Sequence, residues 1–482
     1  MSYFYEYDLV CIGSGPAGQR AAVQAAKLGK RVAVIEQRAA VGGVCIETGT
    51  IPSKTFREAV RGYARTGRGR NLGPRKRPSM AELAYGVKDV VQAELEIVRE
   101  QLARNHVELI RGRAEFVDAH SVRVSSDEGT KVLSTRNVLV AVGTVPATPP
   151  DVQIDGEIFV NSDQILNLPE LPRSLAVIGA GVIGIEYACM FAALGVRVTV
   201  IDRRGRPLPF LDGEIVDELT SQMRQELVTF RCGETIESVE SVTTPSRSAL
   251  IRLESGKQVV AEAVLFSMGR QGATAALGLE AIGIEPNARG LLEVDDQLRT
   301  AVPSVYAAGD VIGFPALAAT SSEQGRLAAC HMFGVNADPM QDHYPVGIYA
   351  IPEISMVGAT EEELTEDGVP YESGVARFRE IARGQILGDD SGLLKLLFHR
   401  ETRELLGVHC IGTNATELIH VGQAVFALGG GLDYFISTVF NYPTLAECYK
   451  VAAFHAANKL RLADLAEECP DRRSAADGRL AG

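Results

Sequence analysis

Asp8-Leu9-Val10-Cys11-Ile12-Gly13-Ser14-Gly15-Pro16-Ala17-Gly18 carries a short apolar run straight into a glycine turn. The pattern predicts a strand over residues 8–12, a helix over Ala21–Leu28 and a second strand over Arg31–Ile35, closed by Glu36. The same unit returns at residues 175–202. There Leu175–Ile178 is the strand and Gly179-Ala180-Gly181-Val182-Ile183-Gly184 the turn. A helix then runs through Leu194, and a strand over Arg197–Ile201 ends in Asp202. Gly13 and Gly179, Leu28 and Leu194, Glu36 and Asp202 all stand at one offset of 166 residues, without a gap.

Each part of the unit has a chemical task. The first glycine permits the turn, the second lets a pyrophosphate approach the backbone, and the third lets helix and strand pack closely. The phosphates sit on the helix N terminus and the closing carboxylate accepts from a ribose hydroxyl. One such motif is weak evidence, because ordinary turns use glycine too. Two in register, each closed by an acid, are read as two dinucleotide sites on an α/β fold with two Rossmann-like domains.

With 482 residues the chain exceeds the size at which one core keeps growing, so several domains are expected. It is 46% hydrophobic and 23% charged, with a net charge of −13. An acidic balance disfavours nucleic acid and anionic membrane surfaces as partners. The first ten residues hold Glu6 and Asp8 and read as no signal peptide. The longest apolar run, Leu175–Ile185, is too short to cross a bilayer. Eight cysteines are scattered singly, which fits neither a zinc site nor a secreted disulfide framework; no metal is expected, and the cytoplasm is the expected compartment.

Between the two units, Arg57 to Arg77 holds eight Lys/Arg against one acid, Glu58. With Tyr63 as its one aromatic it reads as a solvated surface loop rather than a nucleic-acid patch. Leu83, Val87, Val91, Leu95, Val98 and Leu102 keep helical spacing and predict a core-facing helix. Arg461–Gly482 is polar and reads as a disordered tail.

Further motifs complete a resemblance to the flavoprotein disulfide reductases, the family of dihydrolipoamide and glutathione reductases, over roughly residues 5–460. Cys45-Ile46-Glu47-Thr48-Gly49-Thr50-Ile51-Pro52-Ser53-Lys54 matches the family's Cys-x4-Cys-x-x-Ser-Lys signature, except that threonine stands for the second cysteine. Ala141-Val142-Gly143-Thr144 resembles the turn by which the chain leaves the first domain, and Gly269-Arg270 the exit from the second. Tyr306-Ala307-Ala308-Gly309-Asp310 is similar to the last FAD motif, in which the aspartate bonds the ribityl–phosphate region. Leu317-Ala318-Ala319 should open a helix whose N–H groups face the flavin pyrimidine. The resemblance adds FAD contacts at Gln37, Arg38, Gly42, Gly43, Val44 and Ala114. It implies an FAD domain over 1–160 continued at 269–342, an NAD(P) domain over 161–268, and a C-terminal α+β dimerisation domain over 343–460. Ile351-Pro352-Glu353-Ile354 leading into Val357–Leu364 looks like the opening of the last, with Thr360 expected to cap an acid-rich helix, and this domain implies a homodimer.

The departures are informative. A dithiol takes two electrons by closing a disulfide, which one thiol cannot do alone. In the disulfide reductases a histidine stands before the Pro-Thr of the segment that here reads Asn441-Tyr442-Pro443-Thr444-Leu445-Ala446-Glu447; it is the base for the thiols, and the glutamate orients it. Here that position is Tyr442, a poor proton shuttle at neutral pH. Lys54 and Glu186, which the family pairs beside flavin N5, are kept. This combination resembles the soluble pyridine nucleotide transhydrogenases, which move hydride between NADPH and NAD+ through FAD. Asp202 suits an NAD ribose, while Arg203 and Arg204 suit the 2′-phosphate of NADP or are simply solvated. An NAD(P)H diaphorase acting on quinones and a non-catalytic flavin-binding protein are the alternatives.

Overall fold

The strand Tyr7–Ile12 lies between two parallel neighbours, Val32–Glu36 and Gly129–Val140, in a seven-stranded sheet. The computed structural model describes residues 4–67, 77–243, 247–341 and 343–468. They form two compact units, Met1–Gly181 with Thr235–Gln341, and Val182–Glu234 with Asp342–Gly482.

In the first unit, Glu108–Arg111 and Val305–Ala307 extend the parallel part of the sheet. Ser121–Ser126 and Arg113–Asp118 add an antiparallel edge. Alternate residues of the first strand feed opposite faces, as the two-residue period of a strand requires. Leu9 and Cys11 enter a core shared with Ala17, Ala21, Ala22 and Ala25 of the helix Pro16–Lys27. Val10 and Ile12 enter the core on the other face, with Phe116, Leu133 and Leu292. Burial on both faces explains why this strand reads as a continuous apolar run. Small residues also set helix packing: a Cβ on Gly325, in the helix Ala318–Met332, would lie 2.1 Å from the Ala17 carbonyl oxygen. The same unit holds a parallel trio, Phe159–Asn161, Ala263–Phe266 and Ser174–Ile178, and a three-stranded antiparallel meander over residues 236–261.

The second unit contains the helix Val182–Ala193, the parallel pair Arg197–Asp202 and Val228–Cys232, and the helix Gly213–Gln225. Its larger part is a five-stranded antiparallel sheet, ordered Val346–Ile348, Glu353–Gly358, Leu405–Gly412, Leu393–His399, Tyr371–Arg377. The helices Ala415–Ala427 and Glu447–Glu468 cover it, closing a core around Phe378, Phe398, Phe435 and Tyr449. Thr360 caps the helix Glu361–Glu366 as expected, with a capping box completed by Glu363.

The expected helix runs over Met80–Arg104, burying Leu83, Leu95, Val98 and Leu102, with Val87 and Val91 half-buried. Two expectations are corrected. The basic stretch is not a loop throughout: Thr50–Gly67 is one helix, and Arg57 is 2% exposed and paired with Glu58. Its arginines at 57 and 61 follow helical spacing around Glu58, and the aliphatic stem of a buried arginine packs like any apolar chain. Residues 68–76 lie outside the described part. The stretch read as a disordered tail begins as helix, which continues to Glu468; residues 469–482 lie outside the described part. Among the described residues no helix is long and apolar enough to cross a membrane, and no acid, histidine or cysteine cluster is fit to hold a metal.

Candidate functional site

The first glycine turn is built as its chemistry demands. Gly13 has φ +106°, and a Cβ there would lie 2.4 Å from the Ala141 carbonyl oxygen. A Cβ on Gly18 would lie 2.0 Å from the Gly13 oxygen, so helix and turn touch backbone to backbone. Gly15 is different: a Cβ there would meet open space, at the N terminus of a helix that starts with Pro16 and has no side-chain cap. The turn therefore leaves a helix N terminus open to an anion.

Glu36 ends the second strand at 6% exposure. Its Oε2 accepts from the Ser14 amide at 3.1 Å and the Ser14 hydroxyl at 2.5 Å, and its Oε1 from the Arg38 amide at 2.8 Å. Ser14 Oγ in turn accepts from the Gly42 amide at 2.9 Å, and Gly43 packs against Gly15. The residues expected around the first nucleotide, Gly13–Gly18, Glu36, Gly42 and Gly43, are thus brought together. Gln37 is exposed, Arg38 turns to Glu47, and Val44 and Cys45 follow in the short helix Gly43–Glu47. Ala114 lies buried in the strand Arg113–Asp118.

Beside this turn the two predicted exits meet. Thr144–Pro146 and Arg270–Gly272 form a two-stranded antiparallel ribbon. Arg270 donates to Thr144 Oγ1 and to its carbonyl, each at 2.8 Å. Gly143 and Gly269 hold φ +65° and +118°, and Ala141 donates to Ile12 at 2.8 Å. Asp310 is reached by Thr144 and Ser321 hydroxyls at 3.5 and 3.4 Å, and Gln324 Oε1 accepts from the Gly309 amide at 2.9 Å. The sequence reading missed Ser321 and Gln324. Their signal was present: Thr320, Ser321 and Gln324 are polar residues on the buried, otherwise small-residue face of one helix. That helix starts at Ala318, as Leu317-Ala318-Ala319 predicted, with no acid in its first turn.

Cys45 is a partly buried free thiol. The Thr50 side chain lies beside it, at the position of the family's second cysteine. Burial pushes the thiol up; Thr50 and Lys54 pull the other way, Asp310 and Glu94 add to the rise, and the net direction is upward. Lys54 follows in the same helix, with Nζ 3.4 Å from Ser53 Oγ.

The second glycine turn repeats the first. Gly179 has φ +107°, its Cβ would lie 2.4 Å from the Ser267 oxygen, and Gly181 opens on free space. Val182, Ile183 and Gly184 begin the next helix, which carries Glu186 at 4% exposure. Glu186 Oε1 accepts from the Tyr349 amide at 2.8 Å, a partner the sequence did not reveal. Asp202, 7% exposed, ends the following strand in a fork from Arg204, with Arg203 exposed beside it. In the C-terminal segment Tyr442 is exposed, and Glu447 Oε2 is buried with no hydrogen-bond partner among the described residues.

Known proteins agree with this geometry. Residues 7–325 match the model of the pyridine nucleotide-disulphide oxidoreductases, and residues 344–453 match the dimerisation domain of the same group. A soluble pyridine nucleotide transhydrogenase of Mycobacterium bovis is 50% identical over 95% of this chain and 98% of its own length. Its namesake in Hahella chejuensis is 46% identical over 95% and 99%. Among solved structures, LpdA of Mycobacterium tuberculosis superposes with a TM-score of 0.86 at 28% identity, covering 92% of this chain and 99% of that one. The HOCl-induced flavoprotein disulfide reductase RclA of Escherichia coli gives 0.84 at 28%, covering 93% and 99%. With the two glycine turns and the C-terminal domain in place, the chain belongs to the pyridine nucleotide-disulphide oxidoreductase family.

Proposed function

We propose that this protein is an FAD-dependent transhydrogenase that passes hydride between NADPH and NAD+ in a ping-pong cycle. The observation that carries the reading is that a threonine, Thr50, stands with Cys45 where a disulfide reductase has its second sulfur. When bound, FAD supplies a two-electron carrier that accepts hydride from one nicotinamide and yields it to another.

The chain's residues fit that group. Gly13, Gly15 and Gly18 open the helix N terminus to its pyrophosphate, and Glu36 stands ready for a ribose. Asp310 serves the ribityl side, and the start of the helix Ala318–Met332 offers N–H dipoles to developing negative charge. Lys54 would stabilise negative charge on a reduced flavin, and Glu186, oriented by the Tyr349 amide, would place the nicotinamide. Thr50 cannot accept electrons from the flavin, and Tyr442 stands where that family has the histidine base for its thiols. A second nicotinamide is then the acceptor this reading assigns.

The domain limits follow the resemblance: FAD domain over 1–160 and 269–342, NAD(P) domain over 161–268, dimerisation domain over 343–460. The assembly is a homo-oligomer through the last of these, and the compartment is the cytoplasm. The purified yellow protein should reduce thionicotinamide-NAD+ with NADPH. Brisk quinone reduction without that transfer would favour a diaphorase. Flavin that NAD(P)H does not bleach would leave only a binding role.

A further inference from the structure

Glu186 is an acid in an apolar helix, where every residue from Gly184 to Ala192 is buried. A carboxylate so placed needs donors fixed by the fold. The Tyr349 amide is one, at 2.8 Å, and it comes from the segment after the edge strand Val346–Ile348. The ladder from that strand to Glu353–Gly358 ends at the pair Ile348 and Ile354. Tyr349 therefore lies past the ladder, and its amide is aimed by contacts other than sheet pairing.

Those contacts lead to the helix Ala415–Ala427. A Cβ on Gly347 would lie 3.2 Å from Thr416 Cγ2 and 3.5 Å from Tyr349 Cε2, so the methyl and the ring close over bare backbone. Thr416 stands in the first turn of that helix, whose N-cap, Asn414, makes no side-chain cap. Buried Glu353 caps it from the neighbouring strand: its Oε2 accepts from the Thr416 hydroxyl at 2.9 Å and the Thr416 amide at 3.4 Å. An acid there is also favoured by the helix dipole. Burial pushes the Tyr349 phenol up, Thr416 pulls it down, and Glu353, Glu417 and Glu186 add to the rise, so the ring is neutral at pH 7.

We propose that Thr416 and Glu353 are positioning residues for Glu186, acting through the seat they give the Tyr349 ring. Glu353 fastens Thr416, Thr416 and the bare backbone at Gly347 hold the ring, and the ring fixes the direction of the Tyr349 amide. The carboxylate of Glu186 then keeps one orientation although its helix offers it apolar neighbours. This rests on the reading above that Glu186 places the nicotinamide. It goes beyond that reading by giving the C-terminal domain a part in the geometry of hydride transfer, through two residues that touch neither flavin nor nicotinamide.

The test is stopped-flow bleaching of the FAD-loaded protein by saturating NADPH, with calorimetric binding of NADP+ beside it. Thr416→Val keeps the shape and loses the hydroxyl. It should slow bleaching about tenfold and leave NADP+ affinity within about threefold, because a misplaced group costs rate before it costs binding. The flavin difference spectrum induced by NADP+ should shrink with it, a readout without turnover. Tyr349→Ala should slow bleaching by up to about a hundredfold, and Tyr349→Phe should recover most of that loss. In a Glu186→Ala background, Thr416→Val should add less than about threefold, because residues acting through one group are not additive. The full loss in that background would make Thr416 a general brace and overturn the proposal. So would an unchanged rate in Thr416→Val, or a loss confined to affinity. Glu353→Gln carries the same expectations should Thr416→Val fail to hold FAD. If Glu186→Ala itself bleached at the wild-type rate, the underlying reading of Glu186 would fail instead.

Discussion

At the scale of single residues, the proposed function turns on the Cys45–Thr50 pair. A hydroxyl beside a partly buried thiol fills the place of the motif's second sulfur but has no redox chemistry. Cys45→Ser should therefore leave NADPH-to-NAD+ transfer within about tenfold of wild type, equivalent to less than ~1.4 kcal/mol of barrier. A loss of several orders of magnitude would mean the thiol takes part in transfer. Thr50→Cys alone should give no lipoamide or glutathione reductase activity, since Tyr442 supplies no base. Thr50→Cys with Tyr442→His should give a measurable trace, read as NADH-dependent thiol release. Activity from the single change would refute the role assigned to position 442. Both substitutions were legible in the sequence because they sit inside fixed spacings. Tyr349 was not, because a backbone amide that orients Glu186 leaves no mark on residue type.

Among elements, the packing of the helix Ala318–Met332 on the helix Pro16–Lys27 positions two N termini of the proposed flavin site. Gly325 lets them approach: its Cβ would fall 2.1 Å from the Ala17 carbonyl oxygen. Gly325→Ala should cost about 1–3 kcal/mol by overpacking and should loosen FAD. The check is the flavin fluorescence released on gentle heating, with unchanged flavin retention counting against it. The sequence predicted both helices but not their contact. Glycine inside a helix lowers confidence in the helix unless a partner backbone is known to press there. The same limit explains Thr144–Pro146 and Arg270–Gly272, two exits read separately that prove to be one ribbon.

For the molecule as a whole, the sheet of the second unit carries a buried charge cluster. Lys395, with its side chain fully buried, bonds Asp212 at 2.9 Å and Glu361 at 2.5 Å, with Glu214 at 3.3 Å. This ties the helix Gly213–Gln225, capped by Asp212, to the antiparallel sheet. Removing one partner strands a buried charge, so Lys395→Met should cost about 3–5 kcal/mol, read from denaturant unfolding of the holoprotein. The pH dependence follows from the two shifts. Burial pushes the Lys395 ammonium down, but Glu361 and Asp212 outweigh it and the net direction is up. Its stability is fully present below about pH 10.4 and is lost as pH rises through the folded value. Burial pushes Asp212 up, but His409 and Lys395 outweigh it and its carboxyl is lowered. Its stability is present above about pH 3.9 and is lost as pH falls through the folded value. The wild-type advantage over Lys395→Met should stay level from about pH 7 to about pH 10. A collapse near neutral pH would sink the assignment.

The sequence by itself determined the two glycine turns, the threonine and tyrosine at positions 50 and 442, and the Thr360 cap. These depend on local backbone freedom and fixed spacing, which residue identity records directly. Only the tertiary structure decided that Arg57 is buried within a helix, that Lys395 sits fully buried among three acids, and that Arg204 grips Asp202. A charged residue's chemical identity says that it wants a partner. Which partner it finds depends on residues far along the chain or on side-chain geometry that spacing does not encode.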